Sequence, residues 1–263
     1  MNLEVLVSTM NRNSLELIEK MNIKSDCLII NQSNDFTQNL ENHTVKKIRM
    51  LSYQERGLSK SRNRALEESI GDICLIADDD VVYREDYVEK IVDSHKEYSD
   101  YDIIVFSVPT TNTERSKKYY SKRKRMGYIR SLKVASFEIS FKKKSVIENN
   151  VRFNESFGAG SGKVAMGEEN IFLYECLRKG LKILYLPIVI GVVTHEESTW
   201  FKGYTEKYFR DLGACYAAMS HKFSYVLAFQ FAVRKRRLYN KSVSFFIAMS
   251  NMVIGIKTFN KNL

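Results

Sequence analysis

Three consecutive carboxylates, Asp78-Asp79-Asp80, stand directly after the apolar run Asp72–Ala77. Neighbouring carboxylates repel, and an anionic cluster at the edge of a sheet is costly unless something positive binds there. A divalent cation that prefers oxygen, Mg²⁺ or Mn²⁺, is the natural partner. Such an ion keeps waters and takes phosphate oxygens, so the cluster points to a nucleoside diphosphate. The plainer alternative is a solvated acidic turn that caps the next helix. A second acidic pair, Glu168-Glu169, opens a periodic segment after Gly167; acids at a helix N-terminus also favour its dipole. His195, in Thr194-His195-Glu196-Glu197, follows the apolar run Ile183–Val193 and is the third feature with chemical reach.

Elements must deliver these residues, and the chain supplies an alternating series. Leu3–Thr9 is rich in Val and Leu and reads as a strand, followed by a helix capped by Asn13 or Ser14 and running through Met21. Asp26–Asn31 and Val45–Leu51 read as further strands. Leu58–Ile70 reads as a helix closed by Gly71 in the left-handed cap conformation, and Asp72–Ala77 as the fourth strand. A helix over Glu85–Tyr98 and a strand over Asp102–Val108 precede a surface segment dense in Lys and Arg, Arg115–Lys133. Ala135–Phe141 alternates in polarity like a strand with one wetted side. Glu168–Lys179 is a helix closed by Gly180, Ile183–Val193 a strand, and from Trp200 the pattern is helical and basic. Apolar strands alternating with helices predict an α/β fold with a mainly parallel central sheet covered on both faces. Ligands of such sheets bind beyond the carboxyl ends of the strands. That singles out Thr9 to Asn11, Asn31 to Asp35, and Asp78 to Asp80.

The segment Gly57-Leu58-Ser59-Lys60-Ser61-Arg62-Asn63-Arg64-Ala65, then Gly71-Asp72, a strand and Asp78-x-Asp80, resembles the family 2 glycosyltransferases of the GT-A fold. There a helix of the form G-x-S-x-x-R-N-x-A precedes a strand ending in D-x-D. Phe153-Asn154-Glu155-x-Phe157-Gly158 and Gly167-Glu168-Glu169, with Leu177-Arg178 beyond, resemble the family's F-D-E-x-F/G segment and E-D motif. The resemblance spans residues 3–200 and implies a GT-A-like single domain over 1–200 with a basic helical extension over 201–263. It implies a metal-dependent, inverting transfer of a sugar, hexosyl or N-acetylhexosaminyl, from a nucleotide sugar to a hydroxyl. Asp80 would bind Mn²⁺ or Mg²⁺, with Asp78 at the ribose or the metal, Asp79 beside them, and His195 as a further ligand. Thr9, Asn11, Asn31 and Gln32 would hold base and ribose, and Arg62 would approach the nucleotide. Asn31 stands where many relatives have Asp; a UDP-sugar is the first donor to expect. Glu169, Glu rather than Asp at the second E-D position, would take the acceptor's proton, with Glu168 as the alternative base.

Composition bounds the remaining readings. The chain has 263 residues, 44% hydrophobic, with 41 Lys/Arg against 31 Asp/Glu. Residues 201–263 hold 11 Lys/Arg and 2 Asp/Glu, so nearly all of the +10 surplus sits there. Cys27, Cys74, Cys176 and Cys215 form no C-x-x-C pair and read as reduced thiols. No basic leader opens the chain and no apolar run reaches spanning length, so a cytoplasmic protein is expected. Arg234-Lys235-Arg236-Arg237 ahead of Val243–Ile256 suggests peripheral contact with the inner face of a membrane through 234–256. A lipid-linked saccharide in bacterial surface polysaccharide synthesis is then a reasonable acceptor, and nucleic acid is not expected. Phe157–Gly167 fails the phosphate-loop pattern, with Phe157 at the first Gly position and Val164 after Lys163. It suits a loop closing over the donor. Two rival functions stand beside transfer: a haloacid dehalogenase-like phosphatase, from CLIADDDVV at Cys74–Val82, and a non-enzymatic basic adaptor for phosphate-bearing partners.

Overall fold

The computed structural model describes residues 1–34, 38–42, 46–111, 117–194, 201 and 203–261. His195 and Asp35, both singled out above, lie outside the described residues. Four strands run parallel at the centre: β1 (Leu3–Met10), β2 (Asp26–Gln32), β4 (Lys47–Tyr53) and β5 (Ile73–Asp78). The strand β3 (Gln38–Asn42), not foreseen in the sequence, pairs antiparallel with β4 at one edge. Beyond β5 come β9 (Ile139–Lys142), β7 (Ile103–Ser107), β10 (Ile183–Val189) and β8 (Lys124–Met126), giving the order β3-β4-β2-β1-β5-β9-β7-β10-β8.

Alternation along the central strands explains why both faces are covered. Leu3, Val5 and Val7 face one core with Cys27, Ile29, Leu75 and Ala77. Leu6, Leu28, Ile30, Cys74 and Ile76 face the other. Strands apolar on both sides can bury both only between two layers of helices. The layers are formed by α1 (Leu17–Lys20) and α3 (Tyr87–Glu97) on one face, with α2 (Leu58–Glu68), α5 (Lys143–Glu148) and α6 (Glu168–Arg178) on the other. The four-residue helix α4 (Tyr128–Ser131) follows β8. All four cysteines are buried and free.

Several expectations need correction. The first helix is a single turn that begins at Leu17 and not at Asn13 or Ser14; before it, Asn11 takes a left-handed φ of 53° and Arg12 is tied by its backbone to Asn31. Ala135–Phe141 is a 3-10 turn (Ser136–Glu138) running into β9, and β9 has no wetted side. Ser140 is fully buried, its hydroxyl donating to the Ile104 carbonyl and bonded to His95. Ile183–Val193 is two strands divided at Ile190, and within the first the register against β7 slips around Pro187, which has no N–H to donate. The second, β11 (Gly191–Val193), pairs with β6 (Val81–Tyr83).

Gly71 does not adopt the left-handed cap conformation; α2 ends at Ser69 in extended backbone. Glycine is required there by contact, since a Cβ would lie 2.6 Å from the Glu4 Cβ. Glu4 is itself fully buried, accepting from Arg49 at 2.7 Å and from the backbone N–H groups of Ile70 and Gly71 at 2.6 and 2.9 Å.

Residues beyond 203 form α7 (Glu206–Met219), α8 (Ser224–Arg234), α9 (Arg236–Tyr239) and α10 (Phe245–Lys261). They share a core with Phe157, Ile171 and Tyr174 of the sheet-bearing part. α7 and α10 cross in backbone contact: a Cβ on Gly213 would lie 2.1 Å from the Met252 carbonyl oxygen. Ala248, Met252 and Ile256 are fully buried, so the apolar run 243–256 is largely core. No helix among the described residues is long and apolar enough to cross a membrane.

Gly71→Ala should cost about 1–3 kcal/mol by overpacking against Glu4. The measurement is the shift of the urea midpoint at constant slope; an unshifted midpoint would show that the Glu4 network yields freely.

Candidate active site

The carboxyl end of β5 and the first turn of α6 meet across one arginine. Arg62 projects from α2 and is only 3% exposed. One terminal nitrogen donates to Asp78 Oδ1 at 3.0 Å and the other to Glu168 Oε1 at 2.9 Å. Its guanidinium also lies over the Phe153 ring, 5.5 Å from the centroid. Burial works against the charge, but Asp78, Glu168 and Glu169 together hold the guanidinium firmly protonated. A solvent-exposed helix arginine is therefore excluded.

The α2 motif makes the remaining connections. Ser59 donates to the Phe157 carbonyl at 2.6 Å. Asn63 grips Phe153 through both backbone groups, with Nδ2 on its carbonyl at 3.0 Å and Oδ1 accepting its N–H at 2.9 Å. Nδ2 also reaches Glu155. The residues that stood out as two separate motifs thus hold each other, and together they set the loop 157–167 and the start of α6.

On the other side of the aspartates, Thr9 Oγ1 donates to Asp79 Oδ2 at 2.7 Å, and Arg12 reaches the same oxygen at 3.2 Å. Asp78 Oδ2 accepts from Ser136 at 3.2 Å. Asp80 accepts at its backbone carbonyl from the N–H and hydroxyl of Thr194, both at 3.1 Å. The pairing of β6 with β11 therefore brings the chain neighbour of His195 to the acidic turn. Asn31 and Gln32 are buried with their amides spent on the protein. Asn31 donates to the Arg12 carbonyl and to Ser52 Oγ and accepts the Arg12 N–H, while Gln32 forms a two-way pair with the Gly57 backbone. Both sit at the rim with their amides engaged by neighbouring protein groups. Asn11 is exposed. Past the ends of β2 and β4 an open cleft is lined by Ser33, Asn34, Gln54, Glu55 and Arg56.

Glu169 is half-buried beside the bridge. Desolvation first, then the Glu168 anion, pushes its carboxyl up to about 8, against the lowering pull of Arg62. A carboxyl held near that value can both take and hold a proton at neutral pH. Glu168 is paired with Arg62 at 2.9 Å.

Two residues of the site carried no signal of their own. Arg12 is the next residue after the strand-end group 9–11. Ser136 reaches Asp78 only because β9 runs antiparallel to β5, so that its leading turn lies at the carboxyl end of β5.

For a cation, the donor chemistry is that of a hard ion. Asp78 and Asp79 already face arginines, and no group of three or more His, Cys, Asp or Glu among the described residues could hold a metal alone. Carboxylates at the end of a strand are the donor type that an ion such as Mg²⁺ takes, one or two at a time, with phosphate and water completing its shell.

The sequence profile of Glycosyl transferase family 2 matches residues 17–165, more than half of the chain. The chain belongs to this family and is a glycosyltransferase, which sets aside the phosphatase and adaptor readings. Among solved structures, the chain is similar to S. aureus TarS 1-349, with TM-score 0.65 and 12% identity, covering 97% of this chain and 81% of that one. The TarS 1-349 complex with UDP-GlcNAc aligns with TM-score 0.62 and 12% identity over 100% of this chain and 92% of the other. A further structure of S. aureus TarS aligns with TM-score 0.61 and 13% identity, over 100% of this chain and 55% of that one. This likeness shows the fold. No curated protein matches the chain by sequence.

Arg62→Met should destabilise by roughly 3–5 kcal/mol, because two carboxylates lose the cation between them. Thermal melts read the loss, and Arg62→Lys, which keeps the charge, should lose less than Arg62→Met. Equal losses in the two would mean that packing on Phe153, and not charge, is what Arg62 supplies.

Proposed function

We propose that the chain transfers a sugar from a nucleoside diphosphate sugar to a hydroxyl acceptor with inversion at the anomeric carbon. The observation that carries this reading is the Arg62 bridge, which keeps the aspartates ending β5 within one guanidinium's span of the Glu168-Glu169 turn. Donor-side and acceptor-side chemistry then share one rim of the sheet. S. aureus TarS, whose fold the chain shares, has been crystallised with UDP-GlcNAc and with UDP, so a UDP-sugar is the first donor to try. In this reading the nucleoside occupies the cleft of Ser33, Asn34 and Arg56, with Asn11 and Thr9 at its edge.

Asp80 is the residue assigned to Mn²⁺ or Mg²⁺, with Asp78 behind it. His195 is assigned with it from the sequence, its neighbour Thr194 being tied to Asp80. Such an ion, when bound, neutralises charge on the leaving diphosphate. Glu169 receives the acceptor hydroxyl's proton as the acceptor oxygen bonds to the anomeric carbon. The bond from that carbon to the phosphate oxygen breaks, and its electron pair leaves with the nucleoside diphosphate. Arg62 and Glu168 hold the turn that carries Glu169 and, after burial, tune its proton affinity. The acceptor is a saccharide or lipid-linked saccharide of the kind that bacterial surface polysaccharide assembly uses. Four buried free thiols agree with a reducing, cytoplasmic setting.

A screen of nucleotide sugars with Mn²⁺ tests the assignment. Asp80→Ala should lose donor binding, whereas Glu169→Gln should keep it and lose about 10²–10⁴-fold in transfer rate. Normal turnover in both variants would remove the site.

Transfer by the wild type should rise with pH as Glu169 loses its proton and level off around the value of about 8. The same shift acts on folding. Because the folded carboxyl binds its proton more tightly than the unfolded one, at 4.5, stability falls as pH rises through that interval. Glu169→Gln should flatten this slope, so its melting temperature should exceed that of the wild type more at high pH than at low. An identical pH slope in the two proteins would argue against a raised carboxyl.

A further inference from the structure

Most of the large apolar side chains exposed among the described residues lie between Phe223 and Ile254, on or beside the C-terminal helices. α8 turns Ser224, Leu227, Ala228 and Ala232 inward, all buried. The other side presents Tyr225, Val226, Phe229 and Val233, spaced to share one face of the helix, with Phe229 57% and Val226 61% exposed. The patch continues beyond α8. The Phe229 ring lies 6.5 Å from that of Phe245, and Phe245 touches Phe246, which is 81% exposed. Scattered surface apolar residues need no explanation, but a continuous aromatic and aliphatic face does.

The charge around this face has one sign. Lys222 precedes α8, Arg234 ends it, and Lys235, Arg236, Arg237 and Lys241 follow, all exposed. From residue 212 to the end of the sequence there are eight Lys or Arg and no Asp or Glu. None of these six cations is paired with a carboxylate among the described residues. An apolar helical face with unneutralised cations beside it matches the boundary of an anionic bilayer. There the rings enter the acyl region and the cations meet headgroup phosphates. A second copy of the chain is a poor occupant, since a two-fold contact would press the same cations against each other.

We propose that the outward face of α8, extended by Phe246 and flanked by Arg236 and Arg237, docks the enzyme on anionic lipid. The sequence suggested contact through 234–256; Arg236, Arg237 and Phe246 of that stretch belong to this face, α8 supplies the rest, and the buried side of 243–256 belongs to the protein core. The inference stands apart from the donor and base assignments, because none of its residues belongs to that site.

Flotation with phosphatidylglycerol-containing vesicles and with pure phosphatidylcholine vesicles tests it on the full chain. The protein should float with the first and not the second, and salt should weaken binding. Phe229→Ser with Val233→Ser, and separately Arg236→Glu with Arg237→Glu, should each weaken binding by roughly tenfold or more. Both variants should keep the wild-type melting temperature and transfer to a soluble acceptor. Equal flotation with both lipids, or undiminished binding by both variants, would overturn the proposal. So would a dimer in solution that the Phe229 and Val233 changes disperse, since that would give the face to a second copy.

Discussion

Asp78, from the end of a central strand, and Glu168, from the start of a helix ninety residues later, are held to one another through the guanidinium of Arg62. A cation this deeply buried is tolerable only with both partners in place, and each carboxylate has a large part of its charge answered there. The arrangement therefore acts as a distance constraint between α2, β5 and α6. It also sets the electrostatics of the site: Arg62 pulls the Glu169 carboxyl down while Glu168 pushes it up, with desolvation the dominant influence. Position thus comes from Arg62, and proton affinity first from burial, with Glu168 and Arg62 acting in opposite directions.

The constraint needs support from behind, and the C-terminal helices supply it. The loop leading into α6 is held by Ser59 at Phe157 and by α7, where Asp211 meets the Ala165 N–H and Cys215 the Met166 carbonyl. α7 is in turn locked to α10 by a crossing so close that only glycine fits at positions 213 and 255. Phe157 packs into the core of these helices, with its ring 5.5 Å from that of Phe259. The basic segment is therefore part of what keeps the Glu168-Glu169 turn in place.

Two residues expected at the ligand show how buried amides behave. Asn31 and Gln32 follow a strand, as ligand-binding residues of such sheets do, yet each satisfies backbone groups of the loops beside it. A buried amide left without partners is expensive, and loop backbone is the nearest source of them. Their contribution is to hold Arg12 and Gly57 where they are, and the neighbouring Ser33, Asn34 and Arg56 line the open cleft instead.

The local pattern of residues was enough for the parallel strands β1, β2, β4 and β5, the helices α2 and α6, and the acids at their ends. In each of these the apolar period and the polar stop lie within a few positions of one another. Order in the sheet was not available in that way. β9 reads as a half-polar strand, and only its insertion between β5 and β7 buries Ser140 and carries Ser136 to Asp78. Gly71 looked like a helix cap, and only the packing of Glu4 against it shows that contact is the reason for glycine. Arg62 was legible as a member of a motif but not as a bridge, because its two partners lie 16 and 106 positions away. Residue types and short spacings record what a segment prefers. Which distant groups must neutralise one another is decided when burial removes water and leaves each charge to find its partner in the folded chain.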